Sequence, residues 1–88
     1  MIVVRLPAAL RPYAGGEAKV AVDGGPLKVS DLLSALDKLH PGVGRRVTDE
    51  QGRIRTHVHV YVGENRATVA DTVPDGSEVS ILAAASGG

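Results

Sequence analysis

Residues 54–62, IRTHVHVYV, alternate with a period of two, and no other segment restricts the fold as tightly. Successive side chains of a β-strand point to opposite faces, so this alternation predicts a strand with one face against a core. The chain is therefore expected to build its core on one face of a β-sheet. The predicted core face carries Ile54, Thr56, Val58, Val60 and Val62, and the opposite face carries Arg55, His57, His59 and Tyr61.

Four shorter segments also have the composition of strands. β-branched residues are concentrated in IVVRL, which ends at Pro7, and in AKVAV, which ends at a DGGP turn. Turns at GEN and PDGS bound the later segments. The segment PAALRPYAGG is rich in turn-forming residues, and we expect a loop there. These strands are predicted over residues 2–6, 18–22, 67–69 and 78–82.

One helix is predicted between the DGGP turn and the alternating strand. Ser30 is a suitable N-cap residue, and Asp31 adds a negative charge that is favourable in the first turn. The sequence HPG ends the helix, and the following stretch, VGRRVTDEQGR, is polar with a turn at DEQG. The apolar stripe of this helix consists of Leu32, Leu33, Ala35, Leu36 and Leu39.

The predicted element order is ββαβββ, in the α+β class. Because the helix must return the chain to the same sheet, we expect a mixed sheet with one covering helix. This order, with a last strand running into the carboxyl terminus, is that of the β-grasp (ubiquitin-like) fold. The length predicts one domain, at residues 1–82, followed by a flexible tail at 83–88. The core is expected to include Val4, Leu6, Leu33, Leu36, Val58, Val60, Val79 and Ile81.

Composition excludes several kinds of function. The charges of ten basic and ten acidic residues cancel, and the aromatic residues are two Tyr. Neither a phosphate backbone nor stacked bases would therefore be bound, and no nucleic acid partner is predicted. The absence of cysteine excludes disulfides, thiolate metal sites and thiol nucleophiles on this chain. The chain has neither a basic leader nor an apolar run of membrane-spanning length, which predicts a cytoplasmic protein without a membrane partner.

Two histidines are the candidates for a metal site. His57 and His59 are two residues apart on one predicted strand face, a spacing that could place two imidazoles on one ion. No third ligand is apparent nearby, so no metal site is predicted and both histidines are interpreted as facing solvent or a partner. No pair of a nucleophile and a base, and no acidic dyad, can be assembled either, and no catalytic residue is predicted.

Three segments resemble the bacterial ubiquitin-like sulfur carriers, the superfamily of the molybdopterin-synthase small subunit and the thiamine sulfur carrier. ADTVPDGSEVSILAAASGG is similar to their final turn, strand and terminal Gly-Gly, and HVHVYVGENRA is similar to their middle strand and hairpin. LPAALRPYAGGEAKV is similar to the RP-x-x-GG loop of one branch, the carrier of thiocarboxylate-dependent cysteine biosynthesis. The resemblance spans most of the chain and is strongest for that branch.

The resemblance implies a protein co-substrate of other enzymes, which is not itself an enzyme. An E1-like adenylating and sulfurtransferase enzyme would use ATP to activate the carboxyl group of Gly88, which would then become a thiocarboxylate. The chain would hold no permanently bound cofactor. In the cysteine route, a PLP-dependent, cysteine-synthase-like enzyme would accept the sulfur, and a metallopeptidase would release the product.

Other functions remain open beside the cysteine route. The alternative destinations of the sulfur are molybdopterin, thiamine thiazole and a sulfur-containing secondary metabolite. Two further classes of function are a ubiquitin-like modifier joined to lysines through Gly88 and a noncovalent β-grasp binding module.

The chain ends in small residues that suit entry into an enzyme. Glycine has no Cβ, so Gly87 and Gly88 reduce the bulk that a narrow channel must admit. The preceding residues would let the terminus reach a remote site while the folded body docks outside. The tail residues expected to enter partner active sites are Ala84, Ala85, Ser86, Gly87 and Gly88. The residues considered for the docking surface are Arg11, Tyr13, His57, His59, Tyr61 and Leu82.

Overall fold

The computed structural model describes residues 1–83, which contain seven short strands, two α-helices and one 3-10 helix. The predicted order of two strands, one long helix and three strands is retained, and shorter elements are added to it. The elements are β1 (Ile2–Arg5), the 3-10 helix (Ala8–Ala14), β2 (Lys19–Val22), β3 (Leu27–Lys28), α1 (Val29–Leu39), α2 (Val43–Val47), β4 (Val58–Val62), β5 (Asn65–Ala67), β6 (Thr72–Val73) and β7 (Glu78–Ala83).

The main sheet has the strand order β2-β1-β7-β4-β5, and it is mixed as predicted. β1 and β7 run parallel, with Val4 opposite Val79, while the other neighbouring pairs are antiparallel. The first and last described strands therefore lie side by side in the sheet, with α1 packed on one face. This arrangement confirms the β-grasp prediction. β3 and β6 form a separate two-stranded sheet that the sequence pattern does not predict.

The core lies between α1 and the inward face of the main sheet. Leu32 and Leu36 of α1 are fully buried, and Ala35 packs partly buried against the same cluster. Leu39 is the last residue of α1 and is 54% exposed, so the predicted apolar stripe ends one turn earlier than expected. The eight residues predicted for the core are all buried: Val4, Leu6, Leu33, Leu36, Val58, Val60, Val79 and Ile81.

β4 begins at Val58, so the strand predicted over residues 54–62 is too long at its start. Ile54 makes only an isolated β-bridge, and the backbone N–H of Arg55 donates to the carbonyl of Val47 at 2.9 Å. The N–H of Val58 then donates to the carbonyl of Arg55 in a turn. The first half of the alternating stretch is therefore bonded to the end of α2 and to itself, not to a neighbouring strand.

The hairpin after β4 is tighter than predicted. Val62 pairs with Asn65, so the turn consists of Gly63 and Glu64 alone. Gly63 has a φ of 60°, a conformation that favours glycine. β5 (Asn65–Ala67) consequently begins earlier than the strand predicted at residues 67–69.

The segment predicted as a loop after β1 contains the 3-10 helix. The N–H of Leu10 donates to the carbonyl of Pro7 at 2.9 Å, and both Leu10 and Ala14 are buried. Gly15 ends the helix with a φ of 64°. Each 3-10 hydrogen bond closes over only three residues, so a segment rich in turn-forming residues can still form this helix.

α1 begins one residue before its predicted N-cap, and Ser30 lies within the helix. The residue at the N-cap is Lys28, whose side chain makes no capping hydrogen bond. The loop before β6 provides the missing acceptors: the N–H of Val29 donates to the carbonyl of Asp71 at 2.9 Å, and the N–H of Ser30 donates to that of Val69 at 3.0 Å. Backbone from a distant segment therefore replaces the expected side-chain cap.

A second helix, α2, occupies the stretch whose polar composition indicated a turn. The N–H groups of Gly42 and Gly44 donate to Oδ1 of Asp37 at 3.1 and 2.9 Å, so a side chain of α1 organises the start of α2. Val43 and Val47 are fully buried beneath it. Their spacing of four residues is the signal in the sequence that indicates this helix.

β7 extends to Ala83, which pairs with Val58. The folded domain therefore includes one residue that the predicted division at residues 1–82 assigns to the tail. Residues 84–88, the remainder of the predicted tail, lie outside the described residues. In the described part, no helix combines the length and the apolar character needed to cross a membrane.

Candidate functional site

β7 leads toward the carboxyl terminus and is bonded to β1 on one side and to β4 on the other. Val79 and Ile81 point into the core and are at most 1% exposed. Leu82 points to the opposite face and is 50% exposed, in agreement with the alternation along the strand. The position of Ala83 is thereby fixed relative to the core, and five residues, 84–88, follow it in the sequence.

The face of the main sheet opposite α1, here called the outer face, brings together three residues predicted for docking. Residues directly opposite each other in neighbouring strands point to the same face. Leu82 lies opposite His59, and Ser80 lies opposite Tyr61. Basic side chains continue the row that passes through Ser80 and Tyr61. The residues of this row, across the five strands, are Lys19, Arg5, Ser80, Tyr61 and Arg66.

Arg11 lies beside this outer face. Its Nε donates to the carbonyl of Leu6 at 3.2 Å, which ties the 3-10 helix to the end of β1. Arg11, Tyr61 and Leu82 line one shallow groove. The structure therefore brings four of the six predicted docking residues to one side of β7.

Tyr13 and His57 lie apart from the outer face, in a second depression. His57 precedes β4 in the turn that begins at Arg55, so it does not share a strand face with His59 as the period-two pattern predicted. The depression has a volume of about 790 Å³ and also reaches Ala83. We call it the arginine cleft. Its polar and charged lining consists of Tyr13, Arg45, Arg46, Arg55 and His57.

The arginines of this cleft were not among the predicted site residues. Arg46 stacks on Tyr13, with its Cζ 3.8 Å from the ring centroid, and its Nη1 donates to the carbonyl of Gly42 at 3.2 Å. Arg55 donates from Nε and Nη2 to the carbonyl of Arg45 at 3.2 and 3.0 Å. The consecutive arginines in VGRRV are the local signal for this cluster, but only the fold places Arg55 beside them.

The histidine pair does not form a metal site in the described residues. Within residues 1–83, no group of three or more His, Cys, Asp or Glu side chains is close enough to hold a metal ion. Nδ1 of His59 is buried and has no hydrogen-bond partner among the described residues. His57 is exposed and lies in the arginine cleft, separated from the outer face.

Ionic contacts elsewhere on the body join its ends and one loop. The amino group of Met1 pairs with Asp75, and the hydrogen bond from this group holds the pKa of the Asp75 carboxyl below its ordinary value. The backbone N–H of Arg53 donates to Asp49 and is the main cause of the lowered pKa of that carboxyl. The Asp75 side chain is exposed and the Asp49 side chain is half-buried, and both carboxylates make structural contacts.

The described body therefore presents two surfaces at the end of β7, the outer face and the arginine cleft. The carboxyl carbon of Gly88, which the sequence predicts to be the reacting atom, lies outside the described residues. So do Ala84, Ala85, Ser86 and Gly87. The geometry fits a body that is recognised by other proteins and that fixes where its last residues begin.

Known proteins with these features are similar over the whole chain. Sulfur carrier protein CysO of Mycobacterium tuberculosis is 30% identical over 93 residues, covering 99% of this chain and 98% of the relative. Small archaeal modifier protein 1 of Haloferax volcanii is 32% identical over 85 residues, covering 96% and 97%. The solved structure of the Amycolatopsis orientalis BexX/CysO complex contains a chain that matches with a TM-score of 0.89, 27% identity and full coverage of both chains.

The match to a protein family covers the same extent. Residues 4–88 match the ThiS family, so the match begins within β1 and includes the rest of the main sheet, both α-helices and the residues that follow β7. The relatives just described are carriers or modifiers by name and not enzymes. The chain therefore belongs to the ThiS family, as its resemblance to the ubiquitin-like sulfur carriers predicted.

Proposed function

We propose that this protein is a cytoplasmic sulfur carrier whose C-terminal Gly88 is adenylated and then converted to a thiocarboxylate. The observation that carries the proposal is the full-length similarity to the sulfur carrier protein CysO. The fold is consistent with it, because a central strand that is fixed to the core leads directly into the residues that end in Gly87 and Gly88.

The chemistry requires an enzyme that this chain does not contain. A carboxylate is a poor electrophile, so an oxygen of Gly88 would first attack the α-phosphorus of ATP and release pyrophosphate. Hydrosulfide would then attack the carbonyl carbon of the adenylate, so that a C–S bond forms, the C–O bond to AMP breaks, and the thiocarboxylate and AMP are the products. Because the chain has no cysteine, the sulfur must come from the activating enzyme or from another donor.

The body would serve recognition, and the outer face is the surface proposed for docking. Leu82 and Tyr61 offer apolar contact area there, with His59 beside them and Arg11 at the margin. An E1-like enzyme that covered this face would contact β7 directly and would receive the residues that follow it. Exposed apolar side chains surrounded by polar ones are typical of such interfaces.

We further propose that the sulfur is used for cysteine biosynthesis. The similarity to CysO favours this route, in which a PLP-dependent, cysteine-synthase-like enzyme would accept the sulfur and a metallopeptidase would release the product. The carrier itself would need no permanently bound cofactor, because ATP is consumed on the activating enzyme. Molybdopterin, thiamine thiazole and other sulfur-containing metabolites are the alternative destinations.

A second candidate function is protein modification. The similarity to small archaeal modifier protein 1 favours it, since that chain is 32% identical and is named as a modifier. The same adenylate of Gly88 would then react with a lysine amine and form an isopeptide bond, with AMP as the leaving group. The two functions share activation and differ in the nucleophile that follows.

The test of the proposal is to load the full-length protein. The chain is incubated with the E1-like enzyme encoded in the same genome, with ATP and with a sulfide source, and its mass is measured intact and after proteolysis. We expect one oxygen to be replaced by sulfur on the C-terminal peptide, and only when ATP is present. Failure to load would contradict the carrier function, and lysine-linked conjugates in cell extracts would favour the modifier.

A further inference from the structure

The three arginines of the arginine cleft form no ion pair in the described part of the chain. In residues 1–83, the ion pairs are Met1 with Asp75, Arg5 with Glu78, and Arg53 with Asp49. None of them involves the arginines of the cleft, although the whole chain has a formal net charge of zero. Arg55 is near enough to Asp49 to contribute to the lowered pKa of that carboxyl, but Asp49 pairs with Arg53 and accepts backbone N–H groups, so it forms no ion pair with the cleft.

The polar and charged side chains of the cleft come from three separate segments. Tyr13 comes from the 3-10 helix, Arg45 and Arg46 come from α2, and Arg55 precedes β4. Buried apolar residues, among them Leu10, contribute to the wall between them. The result is a partly apolar depression with a cationic rim, which fits a ligand that combines carboxylates with aliphatic groups.

Two of the cationic groups are held in place by the protein. Stacking on Tyr13 and the hydrogen bond to Gly42 fix the guanidinium of Arg46, and two hydrogen bonds to the carbonyl of Arg45 fix that of Arg55. A guanidinium has five N–H donors, so both groups retain donors for another acceptor. Pre-ordered arginines lose little side-chain entropy when they bind a carboxylate.

The position of the cleft identifies the kind of partner. Ala83 lies on its wall, and five residues span at most about 18 Å when fully extended, so an enzyme that holds Gly88 must approach the cleft to within that distance. A nucleic acid is less suitable, because Tyr13 is already covered by Arg46 and the described lining of the cleft contains no further Tyr, Phe or Trp ring for a base.

We propose that the arginine cleft binds an acidic segment of the enzyme that activates Gly88, a contact separate from the outer face. This inference rests on the proposed carrier function for the identity of the partner and on the charge of the cleft for its chemistry. Arg45 and Arg46, which are exposed, would contact the acidic segment, and the half-buried Arg55 would complete the anion site.

The first experiment measures thiocarboxylate formation by the activating enzyme against carrier concentration. Arg45→Glu is compared with Lys28→Glu. The control makes the same change of charge at an exposed residue that precedes α1, whereas α2 follows the other end of α1. We expect Arg45→Glu to raise the KM for the carrier roughly three- to tenfold with kcat unchanged, an effect that shrinks at high salt. Lys28→Glu should leave KM within about twofold. Equal KM values for the two variants would overturn the proposal.

A second experiment tests whether the cleft prefers an acidic peptide to a basic one, and it does not depend on sulfur transfer. The ¹⁵N-labelled full-length chain is titrated with a synthetic peptide of alternating Glu and Leu, and with a matched peptide of Lys and Leu. Shifts of the Arg45, Arg46 and His57 amides with the acidic peptide alone, lost in Arg45→Glu, would support the cleft. Shifts confined to the outer face, or none, would overturn it, whereas failure of the carrier to load would count against the proposed function only.

Discussion

At the scale of single residues, the core residues stabilise the fold, and the last residue of the chain carries the proposed reacting group. Leu36 is fully buried beneath the sheet, whereas Leu39, one turn later on the same helix, is 54% exposed. The proposed reacting atom belongs to Gly88, five residues beyond the last described strand residue. Stability and function should therefore respond to different substitutions.

The first prediction concerns the core under α1. Leu36→Ala removes a fully buried side chain and leaves a cavity, so we expect a loss of about 2–4 kcal/mol in the free energy of unfolding. Leu39→Ala is the matched control and should change that free energy by no more than about 0.5 kcal/mol. Urea unfolding followed by circular dichroism measures both. Similar losses for the two variants would mean that the packing of α1 is wrongly described.

The second prediction concerns the terminal glycines. Deletion of Gly88, or Gly87→Val, should abolish sulfur loading, because the first moves the carboxyl carbon and the second adds a branched side chain beside it. We expect the free energy of unfolding to stay within about 0.5 kcal/mol of the wild type, since neither change touches the core residues of the domain. Ser34→Ala, at an exposed position on α1, is the control and should still load. Intact-protein mass spectrometry reports the loading, and normal loading of the shortened chain would contradict the proposed role of Gly88.

At the scale of elements, α2 depends on a contact with α1. Asp37 accepts two backbone hydrogen bonds at the start of α2, and a Cβ on Gly44 would lie 2.7 Å from the Cβ of Asp37. This spacing is too short for two carbon atoms, so only glycine permits the approach of the two helices here. Arg45 and Arg46 of the arginine cleft lie within α2, so their placement depends on the same contact.

The third prediction tests this contact. Asp37→Ala removes the acceptor for the N–H groups of Gly42 and Gly44, so we expect a loss of about 1–2 kcal/mol in the free energy of unfolding. Glu50→Ala, at an exposed position in the following loop, should cost no more than about 0.5 kcal/mol. Hydrogen exchange should show the largest loss of protection in α2. Unchanged exchange there would contradict the capping role of Asp37.

At the scale of the whole molecule, an ionic contact joins the first residue to the turn that precedes the last strand. The amino group of Met1 pairs with Asp75, and the N–H of Gly76 donates to the carbonyl of Met1 at 3.0 Å. Because β1 and β7 are parallel neighbours, this contact lies where both strands begin. It therefore connects the amino-terminal end of the domain to the strand that leads to Gly88.

The fourth prediction is a pH dependence that follows from this contact. The pKa of Asp75 is lower in the folded protein than in the unfolded chain, so the unfolded chain binds more protons as the pH falls. The contribution of Asp75 is thus present above its ordinary pKa near 3.8 and is lost as the pH falls through the lowered value. Asp75→Asn should reduce the difference in unfolding free energy between about pH 6 and pH 3, measured in urea.

The exposed hairpin residue Glu64 provides the control for that measurement. Glu64→Gln also removes one carboxylate, and in residues 1–83 this side chain forms no ion pair. It should leave the acid dependence closer to that of the wild type than Asp75→Asn does. An Asp75→Asn variant with the full wild-type acid dependence would contradict the role of the terminal contact.

The sequence by itself determined the features that depend on local pattern. Period-two alternation identified β4 and the inward side chains of β7, helical spacing identified α1, and the eight expected core residues are buried. The terminal Gly87 and Gly88, with the segments that resemble sulfur carriers, identified the family. These properties can be predicted from the sequence because each depends on several residues in one continuous stretch. One ambiguous residue therefore does not change the conclusion.

Only the tertiary structure decided the features that depend on residues far apart in the chain. The cap of α1 comes from backbone near Asp71, the start of α2 depends on Asp37, and β3 pairs with β6. The six residues considered for docking were divided between two surfaces because the chain turns before β4 and removes His57 from the face of His59. The arginine cleft likewise exists only where the 3-10 helix, α2, the stretch before β4 and β7 meet. No local pattern specifies which distant side chains will share one depression.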